Sequence, residues 1–415
     1  MILVLFTNSF PYDAAAEQTF ILGELPYLRE VFDQIILIPK ACDGKKLSLN
    51  THIDVEEGYA KFLNRRSNLL ALALHAITSP YLYHELFIFP QIVFAPFKLL
   101  KLLKFSSRVA ITIRWMENWL KDSQLDDRFV FYSYWFEDLA AGLGLGKRLY
   151  PQIKLVSRAH GYDIYEELYF PYYWPLRRQA LAALDRLFPV SYDGRDYFRN
   201  CYPEFYDLFE AAHLGVKDPG FISSPSTDGV FRIVSCASII PLKRIDLLLE
   251  GIAYAARRRP EQKFEWHHFG DGQARRKLQE VVKNRFPRNA IGCLPGHVPN
   301  QDVLRHYKEN PVDVFVNLST TEAVPVSIME AISCGIPVIA TGVGGNPEIV
   351  SEQNGLLLGP NPTPEDVAQA LLHICDNPEI THKMREGSRK VWRESYNADV
   401  NFRAFAERLK SIGES

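Results

Sequence analysis

From about residue 230 onward, short β-branched runs alternate with amphipathic helical stretches six times in succession. Strand-like runs read at residues 231–236, 263–269, 290–294, 313–318, 336–340 and 355–358, each followed by a loop and a helical segment. Strands separated by helices cannot pair as tight hairpins; they need crossovers, and crossovers build a parallel sheet covered by helices. In such sheets ligands bind beyond the carboxyl ends of the strands, so the loops there are where chemistry is to be sought. The first half reads the same way, with strand-like runs at 2–6, 34–39, 129–132, 154–157 and 186–190.

A chain of 415 residues is long for one such sheet, and at roughly 150 residues per domain it predicts two or three domains. Turn formers cluster after Leu214-Gly215-Val216, in Lys217-Asp218-Pro219-Gly220, and set a boundary at residues 216/217. The 47 Lys plus Arg against 49 Asp plus Glu leave a net charge of -2, so no bulk field favours nucleic acid and an anionic ligand must be held by local donors. Six cysteines lie in apolar surroundings without a C-x-x-C pair, which predicts buried reduced thiols and neither a zinc site nor a disulfide framework. Met1 to Phe6 has no basic flank and reads as a core strand, not a signal segment. Asn317-Leu318-Ser319 fits a glycosylation sequon, which carries no weight without a secretion signal.

The loop after the fourth strand-like run of the second half carries the most chemistry. In Thr321-Glu322-Ala323-Val324-Pro325-Val326, followed by Glu330 and Gly335, the proline sits where a helix start tolerates it and the glycine where a helix end favours it. A short helix is therefore expected to begin just after Glu322, its free N–H groups and positive dipole end facing whatever lies above the strand. Two carboxylates, one in the loop and one inside the helix, can accept hydrogen bonds from several hydroxyls of one polyhydroxylated ligand while the helix end faces its phosphates. Glu322 alone is equally a dipole-favoured cap. The loop after the first run supplies cations, Lys243 and Arg244, where a helix start disfavours them unless an anion is bound. Thr341-Gly342-Val343-Gly344-Gly345 offers a flexible loop and close N–H approach; alone it is weak evidence.

These residues resemble the retaining glycosyltransferases of family 4, whose fold, GT-B, is α/β with two Rossmann-like domains facing each other across a cleft. The similarity is densest over residues 230–350, and its most specific element is the spacing of Glu322 and Glu330. The resemblance implies that Glu322 contacts the donor sugar, Glu330 the nucleotide ribose and Lys243 the diphosphate. Gly296-His297-Val298-Pro299 would wall the base, Ala323, Val324, Pro325 and Val326 would line the phosphate side, and Gly270-Asp271-Gly272 matches the family's glycine-rich turn. Ser238 stands where the family often has arginine, leaving the second phosphate cation to Arg244 or another residue, and Ala323 stands for a frequent glycine. His160, in Arg158-Ala159-His160-Gly161, matches the family's His-Gly element and would lie against the donor sugar or acceptor.

The architecture so implied is a first domain of residues 1–216 on the acceptor side, a donor domain of 217–395, and a helix in 396–415 returning to the first domain. The first domain is interrupted by a helical insert at 67–120. There Leu69 to Leu74 and the region around Lys98, Lys101 and Lys104 are too broken to span a membrane; they fit either interfacial docking on anionic lipid or core packing of a long helix. The loop 8–20 carries no transferable acceptor contacts, and a surface helix is the simpler account of Glu17 and Glu24. Gly142-Leu143-Gly144-Leu145-Gly146 looks like half a dinucleotide fingerprint but falls within a helical stretch. The function implied is transfer, with retention, from a nucleotide-diphosphate-sugar, UDP- or GDP-linked, to a glycan or lipid-linked acceptor, in the cytoplasm, with a peripheral place on the inner face of the cell membrane as one option. No Asp-x-Asp triplet is present and no metal or resident cofactor is expected. A nucleotide-sugar epimerase and a catalytically idle scaffold of the same fold are the rival readings.

Overall fold

The computed structural model describes residues 1–12, 17–49, 52–64, 77–122 and 129–415. The chain divides into two compact units, Met1–His213 together with Phe402–Ser415, and Leu214–Asn401. The last helix, Ala398–Glu414, therefore begins in the second unit and continues in the first.

In the first unit, β1 (Ile2–Thr7), β2 (Gln34–Pro39), β3 (Ile53–Val55), β4 (Phe129–Ser133), β5 (Lys154–Ala159) and β6 (Arg186–Pro189) form a parallel sheet of order β3-β2-β1-β4-β5-β6. All six residues of β1 are buried, as a continuous apolar run covered on both faces requires. β3 was not foreseen, because three residues at a sheet edge carry no readable period. The strand order reverses between β1 and β4.

Helix Gln18–Val31 is not the surface helix that the sequence suggested. Glu17 and Glu24 are both buried, and Glu24 lies 3.3 Å from the Arg158 guanidinium of β5. Arg158 also stacks over Phe405 of the last helix at 4.0 Å. A charge enclosed by a sheet and its covering helices must be met by a counter-charge from one of them, and Glu24 supplies it.

The glycine motif 142–146 lies in helix Asp138–Lys147, packed on helix Pro96–Asp122. A Cβ at Gly142 would fall 2.5 Å from the Thr112 Cβ, so close helix approach accounts for that glycine. Helix Pro96–Asp122 sends Leu102, Phe105, Val109, Trp115 and Met116 into the core, so core packing describes this part of the insert. Lys98 and Lys101 cover the rings of Tyr173 and Trp174, while Lys104 is exposed. The run Leu69 to Leu74 lies outside the described residues, as do residues 13–16 of the first loop. Among the described residues no helix is long and apolar enough to cross a membrane.

In the second unit, β7 (Val230–Cys236), β8 (Lys263–Phe269), β9 (Ala290–Gly296), β10 (Val314–Asn317), β11 (Val338–Thr341) and β12 (Gly355–Leu358) form a parallel sheet of order β12-β11-β10-β7-β8-β9. β10 and β11 are buried throughout, and the strand order reverses between β7 and β10. Each unit is thus a Rossmann-like, doubly wound α/β domain, the pairing expected of the GT-B fold. The expectation of uniformly buried thiols fails: Cys334 is buried, but Cys201 and Cys293 are exposed.

Candidate active site

In a doubly wound sheet the two loops that leave neighbouring strands at the reversal diverge to opposite faces and open a crevice between them. In the second unit these are the loops after β7 and β10. The first carries Lys243 and the second Glu322, and their side chains meet, Lys243 Nζ donating to Glu322 Oε1 at 2.5 Å. Ser319 Oγ donates to the same oxygen at 2.6 Å and Asn317 Nδ2 at 3.2 Å. A small cavity of about 10 Å³ lined by Ser235, Cys236, Lys243, Asn317 and Ser319 lies beside the cluster.

The main chain fixes this geometry. Thr320 N donates to Leu242 O at 2.9 Å, binding the β10 loop to the β7 loop, and Thr341 Oγ1 donates to Ser319 O at 2.6 Å, binding it to β11. The glycine loop completes the frame. Gly345 N donates to Glu322 O, and Cβ atoms at Gly344 and Gly345 would fall 1.9 and 1.7 Å from the carbonyl oxygens of Glu322 and Ala323. Gly344 also has a φ of +50°, so both steric room and backbone conformation demand glycine here.

Two details of the sequence reading are corrected. The helix begins at Val326, later than just after Glu322, with Pro325 extended as its N-cap, so Glu322 is the loop carboxylate and not a helix cap. Arg244 does not join the cluster: it has a φ of +48°, and its guanidinium donates to Pro360 O at 2.8 Å and to Asn361 Oδ1 at 3.2 Å. Ser238, in the same loop, is exposed. Of the two candidate cations only Lys243 faces Glu322.

Glu330 lies in the buried part of helix Val326–Ser333 and accepts a hydrogen bond from Asn300 Nδ2 at 2.6 Å. Burial pushes its carboxyl up to about 7, and the Asn300 amide opposes the rise. Its charge adds to burial in pushing the Cys236 thiol up to about 12, which sets Glu330 beside the end of β7. Asn300 opens the helix that follows Gly296, His297, Val298 and Pro299, so this loop is held next to Glu330. His297 is exposed and Val298 half-buried. Ala323 is half-buried, as is Val326, and Val324 and Pro325 are buried. Gly270-Asp271-Gly272 meets the β7 loop, Ile239 N donating to Asp271 O at 2.8 Å.

Three contributors escaped the sequence reading: Asn300, Asn317 and Ser319. The last two were legible only as a glycosylation sequon, whereas Asn317 is buried and engaged with Glu322. The available signal was a polar residue ending the apolar strand Val314–Asn317.

In the first unit the loops at the reversal follow β1 and β4. Glu17 accepts from Ser9 N and Phe10 N at 2.7 and 2.9 Å and from the Trp135 indole, joining the two loops. His160 follows β5, buried, with its ring 4.4 Å from that of Trp135 and 4.9 Å from that of Tyr134. Neither ring nitrogen has a hydrogen-bond partner among the described residues. Burial, with Arg158 adding, holds the imidazole well below its usual value, so it is neutral at pH 7. Asp163 accepts from the N–H groups of His160 and Phe136 and anchors the turn; burial pushes its carboxyl up to about 7. Among the described residues no three His, Cys, Asp or Glu side chains are grouped to hold a metal ion.

Residues 221–391, inside the second unit and including Lys243, Glu322 and Glu330, match the family model described as glycosyl transferases group 1. A putative colanic acid biosynthesis glycosyltransferase of Salmonella typhimurium, WcaL, is 27% identical over 276 residues, 62% of this chain and 64% of that protein. The chain thus matches somewhat less than two thirds of that relative's length. The apo lipopolysaccharide outer core galactosyltransferase WaaB superposes with a TM-score of 0.70 at 14% identity, covering 99% of each chain. Anabaena Alr3699/HepE in complex with UDP gives 0.67 at 15% identity, covering 99% of this chain and 100% of that one. These likenesses show the GT-B fold.

Proposed function

We propose that this protein is a retaining glycosyltransferase that moves a sugar from a nucleotide-diphosphate-sugar to a hydroxyl of a glycan or lipid-linked glycan, in polysaccharide or glycolipid assembly. The observation that carries the reading is the convergence of Lys243 and Glu322 at the reversal of the second sheet, ahead of a helix N-terminus. The relatives give it a setting, one named for colanic acid biosynthesis and one bound to UDP.

Without ligand, Glu322 neutralises Lys243. An arriving diphosphate draws the ammonium to itself and frees the carboxylate, still oriented by Ser319 and Asn317, for the sugar hydroxyls. Glu330 and Asn300 take the ribose end. As the bond from C1 to the phosphate oxygen breaks, positive charge grows on the sugar ring and negative charge on the leaving phosphate. Lys243 and the first N–H groups of helix Val326–Ser333 stabilise that charge without reorganising. The acceptor oxygen bonds to C1 on the face the phosphate leaves, and the phosphate oxygen takes the acceptor proton, so no protein base is needed. His160 and Trp135 would line the acceptor side. Arg244 has no part in this scheme, and the chemistry needs no metal.

The test is a panel of UDP- and GDP-linked sugars assayed for hydrolysis and transfer with chelator present, with Glu322→Ala as control. Transfer with retained anomeric configuration supports the reading. Epimerised donor without acceptor, or no turnover of any donor, sinks it.

A further inference from the structure

Glu85, Arg177 and Gln179 are only 2%, 6% and 8% exposed, yet all three line a cavity of about 300 Å³ in the first unit. Charged and amide side chains are seldom enclosed unless their polar atoms are met. Glu85 is met in full: Tyr173 OH donates to it at 2.8 Å, Leu176 N at 3.1 Å and Gln179 Nε2 at 3.0 Å. Arg177 donates to Phe136 O and Ile164 O, both at 3.3 Å, and to Asp163 O. Three buried atoms of the lining residues have no hydrogen-bond partner among the described residues: Gln179 Oε1, Trp174 Nε1 and Arg177 Nε. Single unpaired groups occur in any interior, but three around one cavity mark it as a place for a polar ligand.

The lining also selects the class of ligand. Its charges balance: Lys98, Arg177 and Arg178 stand against Glu85 and Glu166, and Glu204 pairs with Arg178 from outside the lining. A balanced wall gives no net hold on a phosphate, which favours a neutral occupant. That occupant must accept from the Trp174 indole and donate to the Gln179 carbonyl, and a hydroxyl group can do both. Phe89, Ile92 and Ala95 add an apolar side. Hydroxyls around the edge of a ring and C–H groups on its faces are the two surfaces of a sugar. The volume lies at the small end of ligand sites, which run from about 300 to 1,000 Å³, and suits a single sugar or a disaccharide.

We propose that this cavity is a second saccharide site, which holds a sugar of the glycan acceptor through Trp174 and Gln179. It is separate from the crevice at the strand ends, since Glu17, Trp135 and His160 are not in its lining. Arg177 ties the two places together. Its carbonyl partners lie in the loop after β4 and in the turn opened by His160, so the cavity wall and the proposed acceptor side are parts of one hydrogen-bonded frame. The inference rests on the reading above that the acceptor is a glycan, and it adds that this glycan is gripped at a unit other than the one that receives the new sugar.

The full-length chain, with UDP added to fill the donor site, is tested by saturation-transfer NMR against glucose, galactose, N-acetylglucosamine and maltose. Wild type is expected to give a signal with at least one of them, at a Kd of about 1 mM. Ala95→Trp, which places an indole in the cavity, is expected to abolish that signal, and so is Gln91→Trp at an exposed position of the same lining. Thermal unfolding of both variants is compared with wild type, so that loss of the fold is told apart from a blocked site. Trp174→Phe, which removes the indole donor, is expected to weaken binding about fivefold, and His160→Ala, outside the lining, to leave it unchanged. Silence of every sugar, or a signal that persists in folded Ala95→Trp and Gln91→Trp, would overturn the proposal. Octanoate that binds wild type and not Ala95→Trp, with every sugar silent, would assign the cavity to an apolar chain instead. UDP binding by wild type is measured in parallel by calorimetry: its absence with the sugar signal intact removes the nucleotide-sugar reading and not this site, and its presence with silent sugars removes this site alone.

Discussion

Lys243 and Glu322, 79 residues apart in the chain, form an ion pair across the reversal point of the second sheet, the ammonium 2.5 Å from the carboxylate. The pair is partly buried, with side chains 21% and 11% exposed, and each partner neutralises the other. A diphosphate can compete for the lysine because it brings a second acceptor oxygen and more charge, and the displaced carboxylate then has sugar hydroxyls to bind.

Lys243→Ala is therefore expected to lower kcat about 10² to 10³-fold, the usual loss for one preorganised donor at a developing charge. Transfer rates within a few-fold of wild type would remove Lys243 from the mechanism.

The ribose contact proposed for Glu330 predicts that nucleotide binding depends on pH. Its carboxyl is raised to about 7 by burial, so the charged form, which would accept the ribose hydroxyls in the proposed scheme, is lost as pH falls through 7. UDP affinity, measured by calorimetry, should weaken from pH 8 to pH 6, and Glu330→Gln should flatten the profile. Asn300→Ala removes the donor that favours the carboxylate and should move the midpoint above 7. The stability effect runs the other way. Between about 4.5 and 7 the folded state keeps a proton that the unfolded state has lost, so this group favours folding at low pH and the benefit disappears as pH rises through 7.

Gly345→Ala is expected to disturb the donor site without touching a ligand. Its new methyl would overlap the Ala323 carbonyl, and the β10 loop bearing Glu322 must shift to admit it. Unfolding should be easier by about 1–3 kcal/mol, with a parallel loss of UDP affinity. An unchanged melting temperature with full UDP binding would show that the loop moves freely.

The Glu24–Arg158 pair should behave as a structural unit. Glu24→Gln leaves the guanidinium enclosed without a counter-charge, an expected cost of about 3–5 kcal/mol in chemical denaturation. Glu24→Leu combined with Arg158→Met should recover most of it, and failure of the double variant to recover would place the pair in function.

Much of the candidate site's clustering was legible because its residues are local to a strand end. Lys243 follows one strand and Glu322 another, and a parallel sheet sends both loops to the same edge. Ser319, Asn317 and Asn300 were not legible, since a polar residue at a strand end or helix start has many uses and only its neighbour decides which. Arg244 shows the converse. Its charge and position matched a phosphate ligand, but a left-handed backbone turns it toward Pro360 and Asn361.

The amino-acid order alone determined the period: apolar runs of strand length between amphipathic helices leave little but two parallel, helix-covered sheets, because each run must pair without a hairpin and bury both faces. Tertiary structure decided whatever depends on which faces meet. It turned Glu24 inward onto Arg158, walled one cavity with Phe89 and Gln179 from segments far apart in the chain, and raised Glu330 by desolvation. Desolvation, pairing and exposure belong to the packed neighbourhood, and one-dimensional spacing does not carry them.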